Sequence, residues 1–436
     1  MPKSKSLAND HPTSSGPGRR RRRPGLRLAT AGAGLAVLAL VAAACGGGSS
    51  SSTTTTKAAP ASGSTTAAAP SGSSSTAGGS STTTSASGSA DLAGAQQVVN
   101  QALKTPTWQG PTASVKASSA KGKSVWLVNL TEEIPALHEW AAVAAGQLDA
   151  VGAHAQICDA KGTPEGITSC LQQAISAKPA VIVAMALDTA FIHNYIAQAN
   201  AAGIKVITAQ TGTPGAPKGT GAVAEVTFNY PQVGKILGAW YSVTSKCHSA
   251  PQIITSTSSR QPSLAEVAGI QSEIARACPS VKPLPVQNVL IPDWPTKLST
   301  VTRSLLTANT NLQYLLPLYD GMTIYMVQEI KQLNLGRTVE MGSFNATPVV
   351  VQNELAKKTA LVADVGGPND WYGYALADET FRVLTGTPVV VNEKVPLRLF
   401  TAANLGTINL SGKESTWYGP VDFACNYHKL WGLSCK

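Results

Sequence analysis

Apolar positions along the chain fall into two patterns that take turns. Val125-Trp126-Leu127-Val128 is an unbroken apolar run, which predicts a strand buried on both faces. After a turn over 129–135, Leu137, Ala141, Ala144, Leu148 and Val151 recur at helical steps, and Gly152 ends that helix. The pair then repeats. A strand is predicted over Ala153–Cys158. Pro164 opens a helix with Ile167, Leu171, Ala174 and Ile175 inward. Ala180–Ala186 is a strand, Thr189–Ala202 a helix stopped by Gly203, and Ile204–Ala209 a strand again. A second series follows, with helices over 233–243, 264–277, 297–309, 323–333, 349–357 and 372–384. Between them lie strands over 252–255, 286–291, 314–318, 339–343 and 360–364. Such alternation predicts an α/β fold of two Rossmann-like lobes, each a doubly wound parallel sheet with right-handed crossovers.

The first 121 residues follow neither rhythm. Residues 19–23 are arginines, Arg27 follows, and 28–44 (LATAGAGLAVLALVAAA) carry no charge. A basic segment, an apolar segment and a small-residue end make a secretory signal over 1–44. The Val41-Ala42-Ala43-Ala44-Cys45 junction resembles the lipobox of bacterial lipoproteins, with Ala42 where Leu, Val or Ile is usual. That resemblance implies lipidation of Cys45 and an anchor on the outer face of the cell membrane. Residues 46–90 are all Gly, Ser, Thr, Ala or Pro except Lys57. With nothing to bury, 45–90 is expected to be a disordered tether. Residues 91–121 form a lead-in that begins with an amphipathic stretch, Leu92–Leu103.

Charge changes the picture once the leader is set aside. The chain of 436 residues carries 34 Lys+Arg, 24 Asp+Glu and a net +10. Residues 1–44 hold eight of the basic residues and one acid, leaving 26 against 23. The body lacks the basic face of a nucleic-acid binder. Its 43% hydrophobic and 13% charged content fits a globular chain.

Beyond Cys45 there are six cysteines, an even number in an exported chain, which suggests disulfides. We expect sequence neighbours to pair: Cys158–Cys170, Cys247–Cys278 and Cys425–Cys435. There is no CxxC, HxH or HExxH, so no metal or cofactor is expected. Nor is there a GxSxG, an SxxK with KTG, or a phosphate loop, so an enzyme is not expected.

The order of elements, together with ANAAGIKVITAQTG (199–212), LYDGMTIYMVQEIKQLNL (318–335) and GSFNATPVVVQNELAKKTALVADVG (342–366), resembles the type I periplasmic binding proteins. The likeness is to the ribose-binding-like group that serves sugar ABC transporters, and it covers about 122–405. It implies two lobes joined by a three-crossing hinge, with crossings near Asn229, Asp364 and Val395–Leu397. Lobe 1 would be 122–229 with 365–395, and lobe 2 would be 230–364 with 396–436. It also implies a monomer that binds a sugar or sugar-like solute and docks on a permease and ATPase. The alternatives are a sensor feeding a membrane signalling protein, or an aromatic, nucleoside-like or amine solute.

Ligands of open α/β sheets sit at strand carboxyl ends. The candidates there are Asn129, Glu132, Glu133, Gln210, Thr211, Arg260, Tyr319, Asp320, Asn345 and Asp364, with Trp294 and Trp371 as stacking platforms. Asn345 and Asp364 are expected to face the ligand from opposite sides, with Trp294 stacked upon it. Three departures bear on the ligand. Pro135 is kept, but the aromatics usual after it are Ala136 and Leu137. Glu266 stands where an arginine is usual, and Asn345 where an acid is usual.

Overall fold

A computed structural model describes residues 90–212 and 218–435. The signal segment, Cys45 and the tether to residue 89 lie outside the described residues. The first half runs α1 (Leu92–Ala102), β1 (Ser124–Asn129), α2 (Pro135–Ala150), β2 (His154–Asp159), α3 (Pro164–Ala177), β3 (Val181–Met185), α4 (Thr189–Ala201), β4 (Lys205–Ala209) and β5 (Ala224–Val226). The second runs α5 (Tyr230–Ser245), β6 (Gln252–Thr255), α6 (Arg260–Ala277), β7 (Gln287–Asn288), α7 (Trp294–Ala308), β8 (Tyr314–Pro317), α8 (Asp320–Leu333) and β9 (Glu340–Asn345). Then come α9 (Pro348–Val350), β10 (Leu361–Gly366), α10 (Asn369–Thr385), β11 (Arg398–Thr401), α11 (Ala402–Leu405) and α12 (Phe423–Leu430).

Two sheets result, ordered β2-β1-β3-β4-β5 and β11-β10-β9-β8-β6-β7. All neighbours are parallel except β10 and β11. The apolar runs read from the sequence are the buried strands: β3 is buried throughout, and β1 from its second residue on. The chain passes between the sheets through 227–229, 367–368 and 386–397. α5 packs on the second sheet, and α10 returns to pack on α2 and the first. The short strands β5 and β11 carry too few residues to show a period and were not expected. The helix expected over 349–357 is one α-turn that widens into a π-turn, Val351–Leu355.

The two ends of the body are placed by long-range packing. α1, in the lead-in, packs on α5 and α6, and the Asp91 amide donates to Ala277 O at 2.9 Å. The tail assigned above to the second lobe is divided: residues 402–418 stay there, with Phe400 of β11 packed on Trp417 and Tyr418, while α12 returns to the first lobe and packs on α10. The reason is aromatic: Trp371 of α10 stacks between Trp108 and Phe423, and Tyr374 stacks on Trp431. All three expected disulfides are formed, with Cα separations of 5.8 Å, 5.4 Å and 4.8 Å for Cys158–Cys170, Cys247–Cys278 and Cys425–Cys435. Among the described residues no helix is long and apolar enough to cross a membrane.

Candidate functional site

The carboxyl ends of the two sheets face each other across a small cavity of about 30 Å³. The first lobe lines it with Leu130, Ile134, Leu137, Trp140, Ala186 and Gln210. The second supplies Ser259, Ile291, Tyr319 and Asn345, and Tyr230 comes in where α5 leaves the hinge. Three of these residues end or directly follow a strand in a backbone region that L side chains visit rarely: Ala186 at φ 57°, Gln210 at 56° and Asn345 at 126°. The chain turns sharply there and presents the side chain beyond the sheet. Backbone outliers of this kind concentrate where a site is being shaped.

Each polar group is held from behind. The Gln210 carbonyl oxygen accepts from the Tyr230 hydroxyl at 2.6 Å and the Phe228 amide at 3.4 Å. Its amide nitrogen is buried with no hydrogen-bond partner; the Tyr372 hydroxyl lies near it without hydrogen-bond geometry. Asn345 leans its amide toward Asp320, and its oxygen has no partner. Tyr319 shares a 2.9 Å hydrogen bond with Ser263. At the hinge, Phe228 packs against Trp140, Tyr372 and Phe344, and the Trp140 indole donates to Asn369 Oδ1 at 2.7 Å. Across the mouth, the Gln261 amide donates to Asp188 Oδ1 at 2.8 Å, joining α6 of one lobe to the cap of α4 in the other.

Beneath the second-lobe wall lies a set of carboxyls with no cation among them. Asp320 Oδ2 accepts the Thr347 amide at 2.6 Å and also its hydroxyl, while burial raises the acid to about 6. Glu354, brought by the π-turn to the Thr323 hydroxyl at 2.6 Å, is raised by burial to about 7. Asp364 and Glu266 are fully buried, and none of their oxygens has a hydrogen-bond partner. The Ala346 amide eases Asp364 slightly without meeting hydrogen-bond geometry. Burial pushes both acids well above the ordinary range; for Asp364 the nearby Asp320 adds to it.

Of the residues singled out in the sequence, Gln210, Tyr319 and Asn345 line the cavity. Asn129 is buried behind it, donating to Glu132 at 2.6 Å and to the Leu137 carbonyl. Glu132 is half-buried against His138, and Glu133 is exposed. The others stand apart from the cavity. Thr211 binds Glu225 through its amide and hydroxyl. Arg260 is exposed at the start of α6. Trp294 donates to Val289 O and packs behind Tyr319, with 6.3 Å between ring centroids, instead of facing the cavity. Trp371 is buried under the tail in the first lobe, because Trp108 and Phe423 cover both its faces. Asp320 lies under the wall. Asp364 is inside β10, paired with Ser343, so it and Asn345 share one sheet and do not face each other. The apolar wall residues were missed because only polar and aromatic candidates were sought. Leu130 directly follows β1 and Ala186 directly follows β3, and a place at a strand's carboxyl end was the available signal.

Residues 134–388 match the family model of the periplasmic binding protein domain, and the chain belongs to that family. This is an extracytoplasmic family of binding proteins. No curated protein shows a significant match to the chain. Among solved structures it is similar to an ABC transporter solute-binding protein from Agrobacterium vitis with bound allitol (TM-score 0.60, 17% identity, 66% of this chain and 98% of that one). It is also similar to a 5-methylthioribose transporter solute-binding protein from Thermotoga lettingae (TM-score 0.60, 16% identity, 74% of this chain and 99% of that one). A third is a solute-binding protein from Mycobacterium smegmatis with bound glycerol (TM-score 0.59, 19% identity, 67% and 98%). At these identities the likeness establishes the shared fold.

Proposed function

We propose that this protein is the solute receptor of an ABC importer, held outside the cell membrane by a lipid on Cys45 and closing its lobes around one small solute. The observation that carries this reading is the cavity enclosed by the carboxyl ends of two parallel sheets, with three chain crossings on one side and the Gln261–Asp188 contact across the mouth. Two sheets hinged in this way enclose a ligand by domain closure. The structural relatives whose names mention ABC transport supply the importer as partner; a sugar or sugar-like solute is the ligand class implied by the sequence resemblance. A non-sugar solute is a second reading, favoured by the apolar cavity wall.

The test is a thermal-shift and calorimetry screen on the full chain over sugars, polyols, nucleosides and neutral aromatics. A ligand at a hundred times its Kd adds about 2.7 kcal/mol of stability. Binding together with a more compact scattering profile supports the reading; binding of solutes without any change in lobe separation overturns closure. For the anchor, Cys45→Ala should release the protein from membranes, and an unmodified mature N-terminus at another residue would refute lipidation.

A further inference from the structure

We infer that the cavity, which must widen from about 30 Å³ as the lobes part, takes an uncharged, compact solute with an apolar or aromatic body, one hydrogen-bond acceptor and one donor, in preference to a polyhydroxylated sugar or an ion. This rests on the solute-binding reading above and narrows its ligand.

The wall composition carries the argument. Among the described residues, no Asp, Glu, Lys, Arg or His lines the cavity. Leu130, Ile134, Leu137 and Ala186 form an aliphatic side, with Ile291 from the other lobe. Trp140, Tyr230 and Tyr319 add ring surface. The three rings have no donor to spare, although the Tyr230 and Tyr319 oxygens can still accept. The Trp140 indole is used on Asn369, the Tyr230 hydroxyl on Gln210 and the Tyr319 hydroxyl on Ser263.

Two amide groups remain, one from each lobe: the Gln210 nitrogen, a donor, and the Asn345 oxygen, an acceptor. The orientation of Gln210 is not arbitrary. The Phe228 backbone N–H can only donate, so the carbonyl end must face it and the nitrogen must point elsewhere. The carboxylate of Asp320 similarly draws the nitrogen of Asn345 and leaves its oxygen free. Gln210 and Asn345 are 1% and 4% exposed, so water does little to satisfy them.

A sugar has several hydroxyls, and each one buried without a partner lowers affinity by about tenfold or more. Two free amide groups, Ser259 and the Tyr230 and Tyr319 oxygens serve a few hydroxyls, but the aliphatic side offers nothing to the rest of a fully hydroxylated ring. An ion fares worse, since no counter-charge lines the wall. Glu266, whose oxygens are unpaired, is not a lining residue. A molecule with one acceptor, one donor and an apolar body can pair both amides and leaves none of its own groups unpaired.

The probes are benzyl alcohol as the neutral aromatic with one hydroxyl, D-ribose and allitol as the sugar and the polyol, and benzoate as the charged counterpart. Each is titrated calorimetrically into the full chain, with lobe closure followed by small-angle scattering. The expected result is closure with the neutral aromatic, and binding of the other three at least about tenfold weaker. Gln210→Leu and Asn345→Leu should each weaken that binding by about tenfold. Ile291→Asn adds a polar group to the wall and should shift the preference toward ribose and allitol; it serves as well if a leucine variant fails to fold. Tighter binding of ribose, allitol or the carboxylate, with closure, overturns this inference and leaves the solute-receptor reading standing. No binding by the neutral aromatic also overturns it. If a low-molecular-weight cell extract then leaves the scattering unchanged as well, the solute-receptor reading falls with it.

Discussion

Buried acids are the residues here whose environment departs furthest from that of their isolated side chains. Asp320, raised by burial to about 6, and Glu354, raised by burial to about 7, take up protons in the folded chain that the unfolded chain has already released. Their contribution to stability is therefore full below the unfolded carboxyl range, near pH 4, and is lost as pH rises through about 6 and 7. Asp364 and Glu266 are raised in the same direction. We expect stability in urea to fall from about pH 5 to pH 8, and Glu354→Gln to flatten part of that slope because its carbonyl can still accept from Thr323. Urea midpoints across that range check this, and a midpoint that climbs with pH would contradict it. Mildly acidic conditions would accordingly suit the folded body.

At the scale of elements, the closest helix contact in the second lobe depends on missing side chains. A Cβ on Gly234 of α5 would lie 2.1 Å from the Glu266 carbonyl oxygen, and one on Gly269 of α6 would lie 2.5 Å from the Pro231 oxygen. The two helices touch backbone to backbone there, and Cys247–Cys278 joins their far ends. Gly234→Val must push the helices apart, at a cost of about 1–3 kcal/mol or more. A lower urea midpoint with an unchanged slope is the expected result; an unchanged midpoint would mean that the contact is not as tight as drawn. α6 also carries Gln261 toward the opposite lobe, so its seating on α5 sets how the cleft closes.

The whole molecule is organised by what links the lobes. Phe228, Tyr372 and Trp140 pack at the hinge, while Gln261 and Asp188 meet on the open side. The lead-in runs from α1, seated on the second lobe, to Trp108, stacked on the first, and on the way Leu103 O accepts from the Arg398 guanidinium at 3.4 Å. Gln261→Ala removes the contact at the mouth and nothing in the core. It should lower ligand affinity several-fold, about what one net hydrogen bond contributes, chiefly through faster dissociation. Stopped-flow release with any ligand from the screen reads this directly, and an unchanged release rate would show that the contact does not hold the closed form.

The strands, the helices and their alternation were legible in the sequence because burial on both faces of a parallel strand leaves an unbroken apolar run, and a helix buried on one face leaves a stripe. The disulfides were legible because each pair spans one strand–helix step or a terminal loop. Gln210, Tyr319 and Asn345 were found as residues that follow strands. Asp364 and Trp294 read as cleft residues on the same ground and Trp371 as a stacking platform, yet their surroundings are set by the packing of separate elements. Trp108 and Phe423 lie far from Trp371 in the chain, and only folding brings them to its two faces. The apolar wall of the cavity, the unpaired amides and the contact between the lobes are likewise decided by tertiary structure. Local pattern records whether a residue is buried, since burial selects side-chain type at each position. What a buried residue faces depends on how separate elements are brought together, and no local period encodes that.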